Sequence, residues 1–111
     1  MAIKANLVID QGTDFEATID VTDNEDNVFD LTDYTATAQM RKNYAASAAT
    51  TFTCTTNGID GQINLSLVNS ITTDLTPGRY LYDVEITSIS SGKVIRVVEG
   101  IVTVTPGMTR I

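Results

Sequence analysis

Apolar residues recur at every second position through most of this chain. In "TDFEATIDV", Phe15, Ala17, Ile19 and Val21 fall on one side, and Glu16, Thr18 and Asp20 on the other. Successive side chains leave a β-strand on opposite faces, so this alternation marks a half-buried strand. It returns in "YTATAQMRK", where Ala36, Ala38 and Met40 oppose Thr35, Thr37, Gln39 and Arg41. It returns again in "TFTCTT", and in "GQINLSL" with Ile63, Leu65 and Leu67. In "RYLYDVEIT", Tyr80, Tyr82, Val84 and Ile86 share one face, and Leu81, Asp83, Glu85 and Thr87 the other. The small alanines of the second stretch predict a place where another layer packs close.

Turn-forming residues punctuate these runs. "TDNEDN" (22–27) follows the first strand. Asn57-Gly58 and Asp60-Gly61 offer positive-φ positions for a hairpin between "TFTCTT" and "GQINLSL". Pro77-Gly78 suits a type II turn, because Pro pre-sets φ and Gly tolerates a positive φ after it. That turn aims the strand with Tyr80 and Tyr82 into the core, where a ring can be buried while its hydroxyl reaches a partner at the rim. "SISSGK" makes another hairpin turn, and Pro106-Gly107 ends the last strand. "NYAASAAT" reads as a loop across one edge, and "VNSITTDL" as a single helical turn. Gly100 interrupts the β-branched run "VIRVVEGIVTVT" and is expected to mark a bulge that swaps the inward face.

About seven or eight short strands with frequent turns specify an all-β fold, an antiparallel Ig-like β-sandwich. One domain over residues 1–111 fits the length, and burial of roughly two-thirds of the unfolded surface is enough for a core. An antibody-type domain would carry a cysteine pair and a core tryptophan. This chain has one cysteine and no tryptophan, so "Ig-like" describes architecture.

The net charge of −7 argues against nucleic acid, whose phosphates need clustered Lys and Arg, and equally against anionic membranes. No apolar run approaches the roughly 20 residues of a membrane span, and the N-terminus lacks a secretory h-region. Synthesis and folding in a cytosol are expected. Cys54 reads as a small strand residue, because a nucleophilic thiol needs an activating base and the chain has no histidine. Asp23, Glu25, Asp26 and Asp30 could attract calcium, but their spacing is not that of an EF-hand loop, and a solvated turn is the simpler expectation. Asp83 and Glu85 lie on one face of one strand, where glycoside hydrolysis would need carboxylates facing each other across a cleft. Arg41, Lys42, Arg79 and Arg96 read as scattered counter-charges. The "NLS" sequon at Asn64 lies inside a strand. No catalytic, cofactor or metal site is expected.

Three stretches carry a resemblance: "DLTDYTATAQMRK" (30–42), "PGRYLYD" (77–83) and "EGIVTVTPGMTR" (99–110). In them, and in the order of elements over nearly the whole chain, the sequence resembles short Ig-like virion structural proteins of tailed bacteriophages, most of all those of marine cyanophages. Related sequences often have glycine before the tyrosine of the first stretch, where this chain has Asp33. The resemblance implies a non-enzymatic, multi-copy structural protein of the virion, made in the bacterial host cytoplasm. It implies other virion proteins of tail, baseplate or capsid as partners, and leaves homo-oligomer contacts in the particle open. A tail- or baseplate-associated adaptor is the first expectation, and capsid decoration on the head surface the alternative.

A sandwich leaves edge strands that can pair with another chain. The termini "MAIKANLVI" and "TPGMTRI" are the candidate docking segments, with Ile3, Leu7, Met108 and Ile111 as candidate interface residues. A receptor- or carbohydrate-binding module is the reading of a different class. Its stacking residues would be Tyr34, Tyr44 and Phe52, a thin supply in a chain with 6% aromatic residues. A calcium-dependent adhesion module built on the acidic cluster is a weaker third reading.

Overall fold

A computed structural model of the protein describes residues 3–22, 27–43 and 49–107. Along the chain it contains β1 (Ile3–Lys4), β2 (Leu7–Asp10), β3 (Phe15–Asp20), β4 (Tyr34–Arg41), β5 (Thr50–Thr51), β6 (Thr53–Asn57), β7 (Gln62–Leu67), the helical turn α1 (Asn69–Thr72), β8 (Gly78–Ser88) and β9 (Val94–Thr105). Two sheets face each other. The larger runs β1-β9-β8-β4-β5, with β2 also on β9, and the smaller runs β3-β7-β6. In Ig terms β3, β7 and β6 are strands B, E and D, while β9, β8 and β4 are G, F and C. The protein is an Ig-like β-sandwich.

The alternation read from the sequence sets the faces. Tyr80, Tyr82, Val84 and Ile86 of β8 point inward with Ala38 and Met40 of β4. They meet Ile19 of β3 and Ile63, Leu65 and Leu67 of β7. Leu31, Phe52 and Leu75 close the core from the connections. The hairpin of β6 and β7 forms as expected, with Asn57 opposite Gln62.

There are more strands than the alternation suggested, because two runs divide. The N-terminal run breaks at Ala5 and Asn6 into β1 and β2. "TTFTCTTN" breaks at buried Phe52: β5 pairs with β4 in the larger sheet, and β6 with β7 in the smaller. Phe52 is the pivot, its N–H donating to Ala38 O at 2.9 Å. Beyond the pivot, β6 in the smaller sheet comes close to β4, where the alanines predict a packed layer.

The first strand departs from simple antiparallel order. β1 and β2 lie parallel to β9, with Leu7 opposite Val102 and Asp10 opposite Thr105. Among the described residues this leaves the outer edge of β3 without a partner strand.

Two turn expectations need correction. The bulge of β9 is at Val97, not Gly100. Val84 pairs with Val98 and Glu85 with Arg96, so Val97 has no partner. Val97 and Val98 are consecutive yet both fully buried, which is where the inward face swaps. Gly100 stays in register opposite Tyr82. Gly78 has φ +139°, far from the roughly +80° of a type II turn, and already pairs with Val104 as the first residue of β8.

The start of β8 carries a tyrosine corner. Tyr80 Oη donates to Thr76 O at 2.7 Å, spanning the turn that the proline introduces. At the same end Asp14 Oδ1 accepts from the backbone N–H of Asn69 at 2.7 Å, fixing the first turn of α1. Buried Thr72 donates to Thr13 O at 2.7 Å.

Candidate functional site

The outer face of the larger sheet holds a shallow depression of about 580 Å³. Its floor comes from outward positions of β8 and β9, among them Leu81, Asp83, Glu85, Glu99 and Ile101, with Lys4 and Asn6 on one side and Gln39 and Arg41 on the other. Alternation puts Asp83 and Glu85 there together, as the sequence predicted. The register adds Glu99 directly opposite Asp83. Like charges in that position repel. Arg96 sits between them, Nε 3.2 Å from Asp83 Oδ2 and Nη1 3.6 Å from Glu99 Oε2.

That pairing depends on the bulge. In a regular strand residues three apart point to opposite faces. The extra residue at Val97 brings Arg96 and Glu99 to the same face. The sequence signal of this bulge is the pair of successive valines inside an alternating pattern. The ion pairs are half-exposed and of small energetic weight. Their effect is to cover this face with charges of both signs, a surface suited to polar recognition.

Beneath the depression the N-terminal edge is locked to the sheet. A Cβ on Gly100 would lie 2.0 Å from Ala5 O, so only glycine lets the first strand pass. Ala5 O accepts from Tyr82 Oη at 2.5 Å. Asn6 Oδ1 takes the place of the displaced carbonyl and accepts from Ile101 N–H at 3.1 Å. Burial pushes the Tyr82 phenol up to about 12.

This edge holds two of the candidate interface residues. Ile3 is opposite Val98 in β1, and Leu7 packs against the core from β2, both half-buried. Their apolar surface is largely spent inside the fold. Met108 and Ile111 lie outside the described residues. Gly107, the last described residue, donates its N–H to Gln11 Oε1 at 3.2 Å.

The other candidates are dispersed. Phe52 is buried between Phe15 and Tyr82, with ring centroids at 6.1 and 6.3 Å, and cannot stack on a sugar. Tyr34 is half-buried against Phe29 at 5.5 Å, and Tyr44 lies outside the described residues. Of the acidic cluster, Asp23, Glu25 and Asp26 lie outside the described residues. Asp30 Oδ1 accepts from the Thr32 hydroxyl at 2.5 Å and the Thr32 N–H at 2.9 Å, which holds its carboxyl below the usual range. Burial pushes the Cys54 thiol up, away from the reactive thiolate. Asn64 accepts from Thr18 Oγ1 at 3.3 Å across β3 and β7. Lys42 Nζ sits 4.7 Å from the centroid of the Tyr80 ring, a cation–π contact instead of a counter-charge.

No family model matches the chain, and no curated protein does. Among solved structures, a family 123 glycoside hydrolase from Clostridium perfringens is similar over 97% of this chain at 11% identity, with a TM-score of 0.44. The chain spans 24% of that protein's length.

Proposed function

We propose that the protein is a non-enzymatic structural module of a tailed-phage virion, present in many copies as a tail- or baseplate-associated adaptor. The observation that carries this reading is the placement of the three stretches in which the sequence resembles such proteins. Over their described residues they supply β4, the first half of β8 and the second half of β9, and these segments pair with one another in one sheet. The resemblance therefore falls on one continuous frame and not on unconnected fragments. A frame of this kind can serve an adaptor through its edges. β3 and β6 border the smaller sheet with no strand beyond them among the described residues, and an open edge can accept a strand from a neighbouring chain. Capsid decoration uses the same frame and differs only in location.

Mass spectrometry of purified particles, before and after heads and tails are separated, tests the reading. Enrichment with tails is expected. Enrichment with heads in lattice-like copy number assigns the protein to capsid decoration, and absence from purified particles ends both versions.

A further inference from the structure

One end of the sandwich gathers three connections, described over residues 27–33, 57–61 and 88–93. Each carries an exposed aliphatic side chain: Val28 is 59% exposed, Ile59 80% and Ile89 66%. A lone exposed aliphatic is ordinary on a protein surface, but three at one end are a feature of contact surfaces. The connections are joined in series. Leu31 N–H donates to Gly58 O at 2.8 Å, and Ile89 N–H donates to Asp33 O at 2.7 Å. Asp33 Oδ2 accepts from Ser88 Oγ at 2.8 Å and Ser90 Oγ at 2.7 Å. The turn of Ile59 is wedged beneath its neighbour: a Cβ on Gly58 would lie 2.8 Å from Thr32 Cα, and one on Gly61 2.6 Å from Phe29 O and 2.8 Å from Val28 Cγ1. A surface held this way loses little conformational freedom on binding.

Charge defines what would fit it. Asp30, Asp33 and Asp60 lie in the same connections as the three aliphatic residues, and Lys93 is the one cation in these three described stretches. A second copy is a poor match, since it would bring aspartates against aspartates between chains that each carry −7. We propose that this end is a preorganised protein-docking surface whose partner presents an apolar patch rimmed by lysine and arginine. The inference does not depend on the virion reading.

The test is selection of a yeast-displayed random-peptide library on the full chain, with recovered peptides mapped by NMR. Peptides combining apolar with basic residues are expected, with shifts confined to the three connections and affinity falling at high salt. The variant Val28→Ser/Ile59→Ser/Ile89→Ser should weaken them about tenfold or more. Ile59→Ser alone, at an 80% exposed position, should weaken them without altering Tm. Asp60→Lys, which also gives up the exposed hydrogen bond from Asn57 Nδ2, should weaken them while the fold is retained by circular dichroism. Recovery of no binder, peptides without basic residues, shifts on the outer sheet face, or equal affinity for the variants overturns the proposal. Self-association in sedimentation velocity that the triple variant abolishes overturns it in favour of a second copy.

Discussion

Gly100, Ala5 and Tyr82 form one device, in which each residue explains another. The missing side chain at Gly100 admits the Ala5 carbonyl, and the Tyr82 hydroxyl satisfies it. Gly100→Ala sets a methyl against a backbone carbonyl that cannot swing aside. We expect it to cost about 3 kcal/mol, read from the urea midpoint. Tyr82→Phe removes the donor alone and should cost about 1 kcal/mol. It also changes the alkaline limb. The folded-state pKa of Tyr82, about 12, is raised above its unfolded value of roughly 10. The stability this contributes is complete below about pH 10 and is lost as pH rises through 12. Tyr82→Phe should flatten that part of the profile in alkaline denaturation followed by circular dichroism. The glycine was visible in the sequence as an anomaly, but its purpose was not. A glycine in a strand signals either a bulge or a close approach, and only the position of Ala5 decides between them.

Within single elements, alternation fixed the faces of β3, β4, β7 and β8 correctly, because each buries one side against the opposite sheet. It could not locate the crossing at Phe52, where one continuous β-rich run serves both sheets. Nor could it decide that Arg96 and Glu99 share a face. Phe52→Ala empties the pivot between the rings of Phe15 and Tyr82 and should cost about 4 kcal/mol by urea denaturation. The β8–β9 turn is held differently, through the Asp33 carboxylate. Bonds from Ser90 and Ser88 hold its pKa below the ordinary aspartate value. A depressed carboxylate pKa contributes stability that is present above the unfolded value, about 3.9, and lost as pH falls through the lower folded one. Asp33→Ala should remove that contribution from the acid limb. It should speed amide exchange at Ser91 and Gly92 while the core strands keep their protection. Faster exchange across β8 and β9 as well would mean that the carboxylate supports the whole sheet.

For the molecule as a whole, the first strand is the part that local pattern could not place. Alternation identifies strands but carries no record of their partners, and the parallel seam joins Asn6 to Ile101 across 95 positions. Pairing this remote is entropically expensive to begin with, and folds dominated by such contacts fold slowly, in roughly milliseconds to seconds. The hairpin of β8 and β9 and the β8–β4 pair join at closer range and build the surface that β2 needs before it can dock. The N-terminal edge should therefore be absent from the folding transition state. Leu7→Ala, which trims a half-buried side chain, should destabilise by about 2 kcal/mol and act almost wholly by speeding unfolding. Val84→Ala, at the centre of β8, should instead slow folding. Stopped-flow chevrons of the two variants test this ordering. If Leu7→Ala slows folding in proportion to its loss of stability, the seam between first and last strands forms early. The N-terminal edge would then be part of the nucleus and not its last addition.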